Sequence, residues 1–376
     1  MKDLSIYIHI PFCDHKCIYC DFYSIVTYDN LDSFFSSLRK EINFFADSLN
    51  NKYRISTIFF GGGTPSYVNP EFIRQVIEHL GKRFRFNDYV EITLETNPGT
   101  VDRQKLLEFK SAGINRVSVG VQSFDAEELK FLTRIHDKQT AINTINDVHS
   151  IGIVNISLDL IFNLPGQTLN KWQDNLEQAL KLPIKHISAY SLILERGTIL
   201  NKMVLDGKVE IQDEDYDAEL YEFTIDKITS AGFEQYEVSN FCLPGYECKH
   251  NLAYWTHREY LGLGTSAHSF IENERWWNYS SLKMYIDAVN NRGHAIRSNE
   301  KLTEAELLEE YIMLNLRGKG LSLDDLESKF GNDWTIINHD YLTKLLEEGY
   351  ITRMDNFIKF TKPGYALCDE ILLKFS

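Results

Sequence analysis

The sequence predicts an α/β protein, with a parallel sheet of six βα units forming a barrel or partial barrel and a helical, winged-helix-like domain after it. Three observations predict this. Apolar runs of strand length alternate with amphipathic stretches six times between residues 4 and 231. Nearly every run ends in a polar or glycine-rich loop, and the chemically distinctive residues sit in those loops. From about residue 300 the alternation stops and helical segments follow one another. A doubly wound open sheet has the same local pattern, so the strands alone leave closure open.

The units follow in order. "LSIYIHI" is a strand, followed by a loop holding three cysteines and a helical pattern near 30–50. "ISTIFF" runs into "GGGTPS", with a helix after Pro70. "YVEITLE" leads to "TNPGT" and a helix from 102; "RVSVGVQ" leads to "SFD" and helices through about 150. "VNISLDLIF" leads to "NLPGQT" and a helix from 170, while "HISAYSLI" precedes a longer insertion and a helix around 213–231. "EYLGLGTSAHSF" carries small residues that allow close packing at the last edge of the barrel. Thr303 and Glu306 have capping-box spacing at the head of the first C-terminal helix, and residues 352–372 form a short strand pair and then a helix. These readings divide the chain into a barrel domain (1–235), a connecting segment (236–300) and a C-terminal domain (301–376).

With 376 residues and 43% hydrophobic composition, the chain can bury a large core. Its net charge is −15, from 54 acidic and 39 basic residues, which argues against nucleic acid or an anionic membrane as the main partner. "ISLDLIFNLPG" is broken by Asp159, Asn163 and Pro165, so no membrane span is expected. The first residues read as a strand and not as a signal peptide, which places the protein in the cytoplasm. In that reducing compartment clustered cysteines point to metal or redox chemistry.

Cys13, Cys17 and Cys20 follow C-x3-C-x2-C. Closed structural zinc takes four protein ligands, and here a fourth would have to come from His9, His15 or a distant residue. Three thiolates with one open position suit a [4Fe–4S] cluster anchored at three irons. On spacing alone zinc competes.

This motif, with Tyr19 just before the last cysteine, resembles that of the radical S-adenosylmethionine (SAM) family. The resemblance implies a [4Fe–4S] cluster on the three cysteines, SAM chelating the fourth iron, and reductive cleavage of SAM to methionine and a 5′-deoxyadenosyl radical. "GGGTPS" falls where the family has its glycine loop, which assigns Gly62, Gly63 and Thr64 to SAM binding. Tyr7, Glu95, Gln122, Arg134 and Asp159 match the SAM-contact positions of the coproporphyrinogen-oxidase-like branch. An arginine forks onto a carboxylate, and Asp or Gln accepts from ribose hydroxyls.

Two members of that branch compete. One is the oxygen-independent coproporphyrinogen III oxidase, a radical enzyme that decarboxylates propionates. The other is the haem chaperone, which passes haem to an acceptor haem protein such as a membrane-bound respiratory one. The oxidase motif carries a further cysteine where this chain has Phe22, and its segment ahead of the first cysteine is longer than the twelve residues here. "HNLAYW", residues 250–255, resembles the chaperone's H-N-x-x-Y-W haem motif. It assigns His250 to the haem iron and Tyr254 and Trp255 to the porphyrin face, with Lys249, His257 and Arg258 for the propionates. Cys248 does not make a C-x-x-C-H attachment pattern, and Cys242 and Cys368 are expected to be buried. His268 is either a second ligand or a pocket residue. The resulting expectation is a haem chaperone binding a [4Fe–4S] cluster, SAM and haem. Its alternative is the oxidase, or another radical SAM enzyme acting on a tetrapyrrole.

Overall fold

The structure is a computed structural model and describes residues 1–375. The first half repeats strand and helix: β1 (Lys2–Ile10), α1 (Leu31–Leu49), β2 (Tyr53–Gly62), α2 (Pro70–Arg83), β3 (Arg85–Thr96), α3 (Arg103–Ser111), β4 (Arg116–Gln122), α4 (Ala126–Phe131), α5 (Lys138–Ser150), β5 (Asn155–Phe162), α6 (Leu169–Leu180) and β6 (His186–Ser191). The insertion after β6 contains α7 (Ile199–Leu205), which the sequence reading passed over, and then α8 (Glu214–Ser230). Local chemistry sets the helix starts. Asn69, Asp102, Asp125, Asp137, Thr168 and Asp213 each accept a backbone N–H of the first turn through the side chain.

Strands β1 to β6 pair in parallel and in sequence order. Apolar residues of one sheet face (Ile6, Ile58, Leu94, Val117, Leu158, Ile187) share one core with residues of α1, α2, α3, α5, α6 and α8. The alternate positions are also buried but polar: Ser5, Thr57, Glu91, Arg116, Ser157 and His186. Buried parallel strands ordinarily read as apolar on both faces, so this second face, polar yet buried, departs from that pattern.

Residues 236–300, set apart in the sequence reading as a connection, supply strands to the same sheet. After β7 (Glu234–Gln235), just ahead of this segment, come β8 (Asn240–Cys242), α9 (Lys249–Trp255), β9 (Tyr260–Gly264), β10 (His268–Ile271), β11 (Glu274–Asn278), α10 (Leu282–Arg292) and β12 (Ile296–Lys301). Strand β8 continues the sheet antiparallel to β6. Strand β9 was expected at the last edge but lies parallel to β1, at the opposite side of the six. Gly264 permits this pairing: a Cβ there would stand 2.3 Å from the His9 carbonyl oxygen, so only glycine lets the backbones approach this closely. Glu41 of α1 braces this junction. It accepts from Gly264 N (2.9 Å), Asn278 Nδ2 (2.7 Å) and Tyr285 Oη (2.7 Å). The sheet therefore runs on as twelve strands, with β1 beside β9 and β6 beside β8.

The C-terminal region has its own core around Leu316, Leu326, Leu345 and Ile358. It comprises α11 (Glu304–Arg317), β13 (Leu321–Ser322), α12 (Leu323–Phe330), α13 (Asp333–Ile337), α14 (His339–Glu347), β14 (Ile351–Met354), β15 (Phe357–Phe360), α15 (Lys362–Ala366) and α16 (Cys368–Leu372). The Thr303–Glu306 capping box forms as expected, and Cys242 and Cys368 are both buried.

Candidate functional site

The carboxyl ends of β1 to β5 gather most of the expected residues. The cysteine loop leaves β1 and is pinned at its base, where Cys13 N donates to Ile25 O (2.9 Å) and Ile25 N to Pro11 O (2.8 Å). Tyr28 Oη donates to the Cys13 carbonyl (2.8 Å), and Ile18 N donates to Thr133 Oγ1 (3.2 Å). The three thiols are free. Cys13 Sγ lies 3.1 Å from Thr64 Oγ1, and Arg134 Nη1 reaches Cys17 Sγ at 3.6 Å. Burial pushes the Cys20 thiol up to about 11. Tyr19 packs beside Leu132, Ile161 and Leu164, and burial raises its hydroxyl.

Among the described residues no three His, Cys, Asp or Glu side chains converge on a single-ion position. Binding of a metal group thus requires the thiols to turn toward one another. The donor set fits a cluster all the same: three disulfide-free cysteines lie on one short loop, two of them under a guanidinium or a hydroxyl.

The glycine loop lies directly against this loop. Gly63 N donates to Ile10 O and Thr64 N to Phe12 O, both at 2.8 Å. A Cβ on Gly63 would come within 2.6 Å of the Phe12 carbonyl oxygen, so the contact admits no side chain. Gly62 N donates to Glu95 Oε2 at 3.3 Å. Burial, reinforced by the Asp159 charge, pushes the Glu95 carboxyl up to about 8. Asp159 accepts from Ser118 Oγ (3.1 Å) and is also raised, chiefly by burial. Gln122 ends β4 with a positive φ of 69°, a left-handed backbone that marks a constrained turn.

Asn97, which the sequence reading did not single out, ties the halves together. Its Nδ2 donates to Thr64 Oγ1 (2.9 Å) and its Oδ1 accepts from Arg134 Nη2 (2.7 Å). Arg134 Nη2 also reaches Gly120 O (2.6 Å), while its buried Nε has no partner among the described residues. An Asn-Pro pair directly after a strand end was the available signal. Arg116 was missed as well. It is wholly enclosed on the polar inner face, near Glu91, Asp159 and Cys248.

The haem-motif residues lie apart from this group. Helix α9 sits against β2, inside the polar face. His250 is 1% exposed, and both its ring nitrogens are engaged: Nδ1 with Thr57 Oγ1 at 2.8 Å and Nε2 with Tyr254 Oη at 3.0 Å. The ring stacks on Phe59 at 5.0 Å, and burial, with the Arg116 charge, pushes its pKa down to about 3. In this arrangement the imidazole presents no free lone pair to an iron. Tyr7 stands between the two regions, 6.4 Å from the His250 ring and with its hydroxyl 3.1 Å from His9 Nδ1. Trp255 is half-buried against Gly318, just beyond α11. Lys249 and Arg258 are exposed, and His257 stands 3.4 Å from Glu310. His268 is exposed and stacks on Trp277 at 5.8 Å. Phe22 is exposed in the cysteine loop.

A parallel α/β sheet with a three-cysteine loop on its first strand and a glycine loop on its second is the arrangement of the radical SAM class. Residues 7–179 match the Radical SAM superfamily and residues 302–367 match the HemN C-terminal domain. The chain is 35% identical to heme chaperone HemW of Bacillus subtilis over 375 residues, covering 99% of this chain and 98% of that protein. It is 39% identical to heme chaperone HemW of Haemophilus influenzae, covering 100% and 98%. It is 36% identical to the mitochondrial radical S-adenosyl methionine domain-containing protein 1 of Danio rerio, covering 98% and 86%. Among solved structures, coproporphyrinogen III oxidase (HemN) from Escherichia coli superposes with a TM-score of 0.85 at 24% identity, covering 100% of this chain and 90% of that one, a likeness of fold. The chain belongs to the radical SAM superfamily and, within it, to the HemW family.

Proposed function

We propose that this protein is a haem chaperone, which binds haem and transfers it to an acceptor haem protein. One observation carries the reading: end-to-end similarity at 32–39% identity to proteins named heme chaperones. The radical SAM fold is consistent with enzymatic ancestry. No described helix is long and apolar enough to cross a membrane.

In this reading the six parallel strands curl as a partial barrel, the C-terminal region is winged-helix-like, and Cys13, Cys17 and Cys20 hold a [4Fe–4S] cluster. When bound, the cluster supplies a redox centre with one iron open to SAM. Arg134, already oriented by Asn97 and Gly120, offers its guanidinium to the SAM carboxylate. Gly62, Gly63 and Thr64 line the methionyl end, with Tyr7 and Tyr19 as walls. Glu95, Gln122 and Asp159 offer acceptors to the amino group and ribose. His250, Tyr254 and Trp255 serve haem only after α9 lifts away from β2, because both imidazole nitrogens are otherwise engaged.

The test is a pair of measurements on anaerobically reconstituted protein. Haemin titration should give a saturable Soret change. Incubation with SAM, a reductant and coproporphyrinogen should yield no protoporphyrinogen, and sustained turnover there would replace the chaperone with the oxidase.

A further inference from the structure

Helix α9 is enclosed but weakly rooted. It lies between β2 and α11, and Cys248, His250 and Ala253 are each at most 3% exposed. Yet none of residues 249–255 belongs to any apolar cluster of the described residues. Its inward contacts are hydrogen bonds and ring contacts, chiefly those of His250 with Thr57, Tyr254 and Phe59. A seven-residue helix does not hold itself together in water, so its order comes from its neighbours. Segments rooted outside an apolar core open locally at low free energy.

Strand β3 holds the start of this helix. Cys248, the N-cap, makes no side-chain cap hydrogen bond. Glu91 takes that part instead: its Oε1 accepts from His250 N at 3.2 Å and from Cys248 Sγ at 3.7 Å. Lys249 Nζ reaches the Tyr89 carbonyl of the same strand at 3.4 Å. Glu91 is 5% exposed, and a carboxylate so buried needs a counter-charge. Arg116 of β4 stands near both Glu91 and Cys248; it is 2% exposed, and its Nε has no partner among the described residues. Loss of the Glu91 charge leaves this guanidinium uncompensated, and lifting α9 is the movement that admits water to it.

We propose that Glu91 is a positioning residue that latches α9 over the polar inner face, so that exposure of His250 is controlled from β3. The inference rests on the haem reading above only for what the opening serves. It adds a regulating contact on the backbone of the helix to the contacts already described on the imidazole.

Cys248 reports the opening without haem. It is wholly buried, and burial pushes its thiol up to about 12, so it reacts with N-ethylmaleimide once α9 has lifted. The full chain is labelled in its native state and each cysteine is followed by peptide mass spectrometry. In Glu91→Gln, which keeps the shape and removes the charge, Cys248 should react at least tenfold faster, while Cys368 of the C-terminal core keeps its wild-type rate. A Cys248 rate within twofold of wild type, or an equal acceleration at Cys368, overturns the proposal. In the unmodified chain the amides of α9 should exchange at least tenfold faster than those of β2, and equal protection overturns it without any variant. Haemin association, followed at the Soret band, should accelerate along with Cys248 labelling in Glu91→Gln. If labelling accelerates and haemin association does not, the latch stands and the haem reading of α9 falls.

Discussion

Thr57 Oγ1 and His250 Nδ1 meet at 2.8 Å across 193 positions of sequence, and this contact fastens α9 onto the inner face of the sheet. Tyr254 closes the other side of the ring at 3.0 Å. Thr57→Val and Tyr254→Phe each leave a buried imidazole nitrogen unpaired. Each is expected to cost about 1–3 kcal/mol of stability, read as a lower urea midpoint. If opening of α9 is needed for haem binding, both variants should also bind haemin faster than wild type.

Cys13, Cys17 and Cys20 are free thiols on one loop. Replacing any of them with Ser is expected to reduce iron and acid-labile sulfide well below about four of each per chain after anaerobic reconstitution. The same replacement at Cys242, Cys248 or Cys368, all buried elsewhere, should leave both near the wild-type value.

Gly63→Ala places a methyl group 2.6 Å from the Phe12 carbonyl oxygen, immediately ahead of Cys13. Backbone atoms cannot rotate aside, so the two loops must separate. SAM affinity should fall at least tenfold, about 1.4 kcal/mol, in equilibrium dialysis of the reconstituted protein, with far-ultraviolet circular dichroism unchanged.

Burial pushes the Glu41 carboxyl from its ordinary 4.5 up to about 7, despite the donors from Gly264, Tyr285 and Asn278. A carboxyl with a higher pKa folded than unfolded keeps its proton longer in the folded chain. Its contribution is therefore complete below pH 4.5 and is lost as pH rises to 7, a span on the order of 3 kcal/mol. The stability difference between wild type and Glu41→Gln should shift across that window in favour of the variant as pH rises. A difference that stays constant would contradict it.

Much of this architecture was legible because alternation in a strand leaves a direct mark. Ile6, Ile8 and Ile58 against Ser5, Thr57 and Glu91 show which face meets helices. The cysteine and glycine loops were legible because few other structures need those residues at that spacing. The place of β9 was not, since pairing between residues 5–9 and 260–264 has no local signature. Nor was the enclosure of His250, whose partner Thr57 lies on a distant strand, or the role of Asn97, whose side chain has meaning only between Thr64 and Arg134.

The parallel pairing of β1 with β9 orders events in time. The strand that carries the cysteine loop leaves the ribosome well before its neighbour at Tyr260–Gly264, which is made some 250 residues later. Such long-range pairing is slow to form. On the cluster reading proposed above, loading of the cysteine loop would come late in biogenesis, and nascent chains arrested before residue 260 should incorporate no iron.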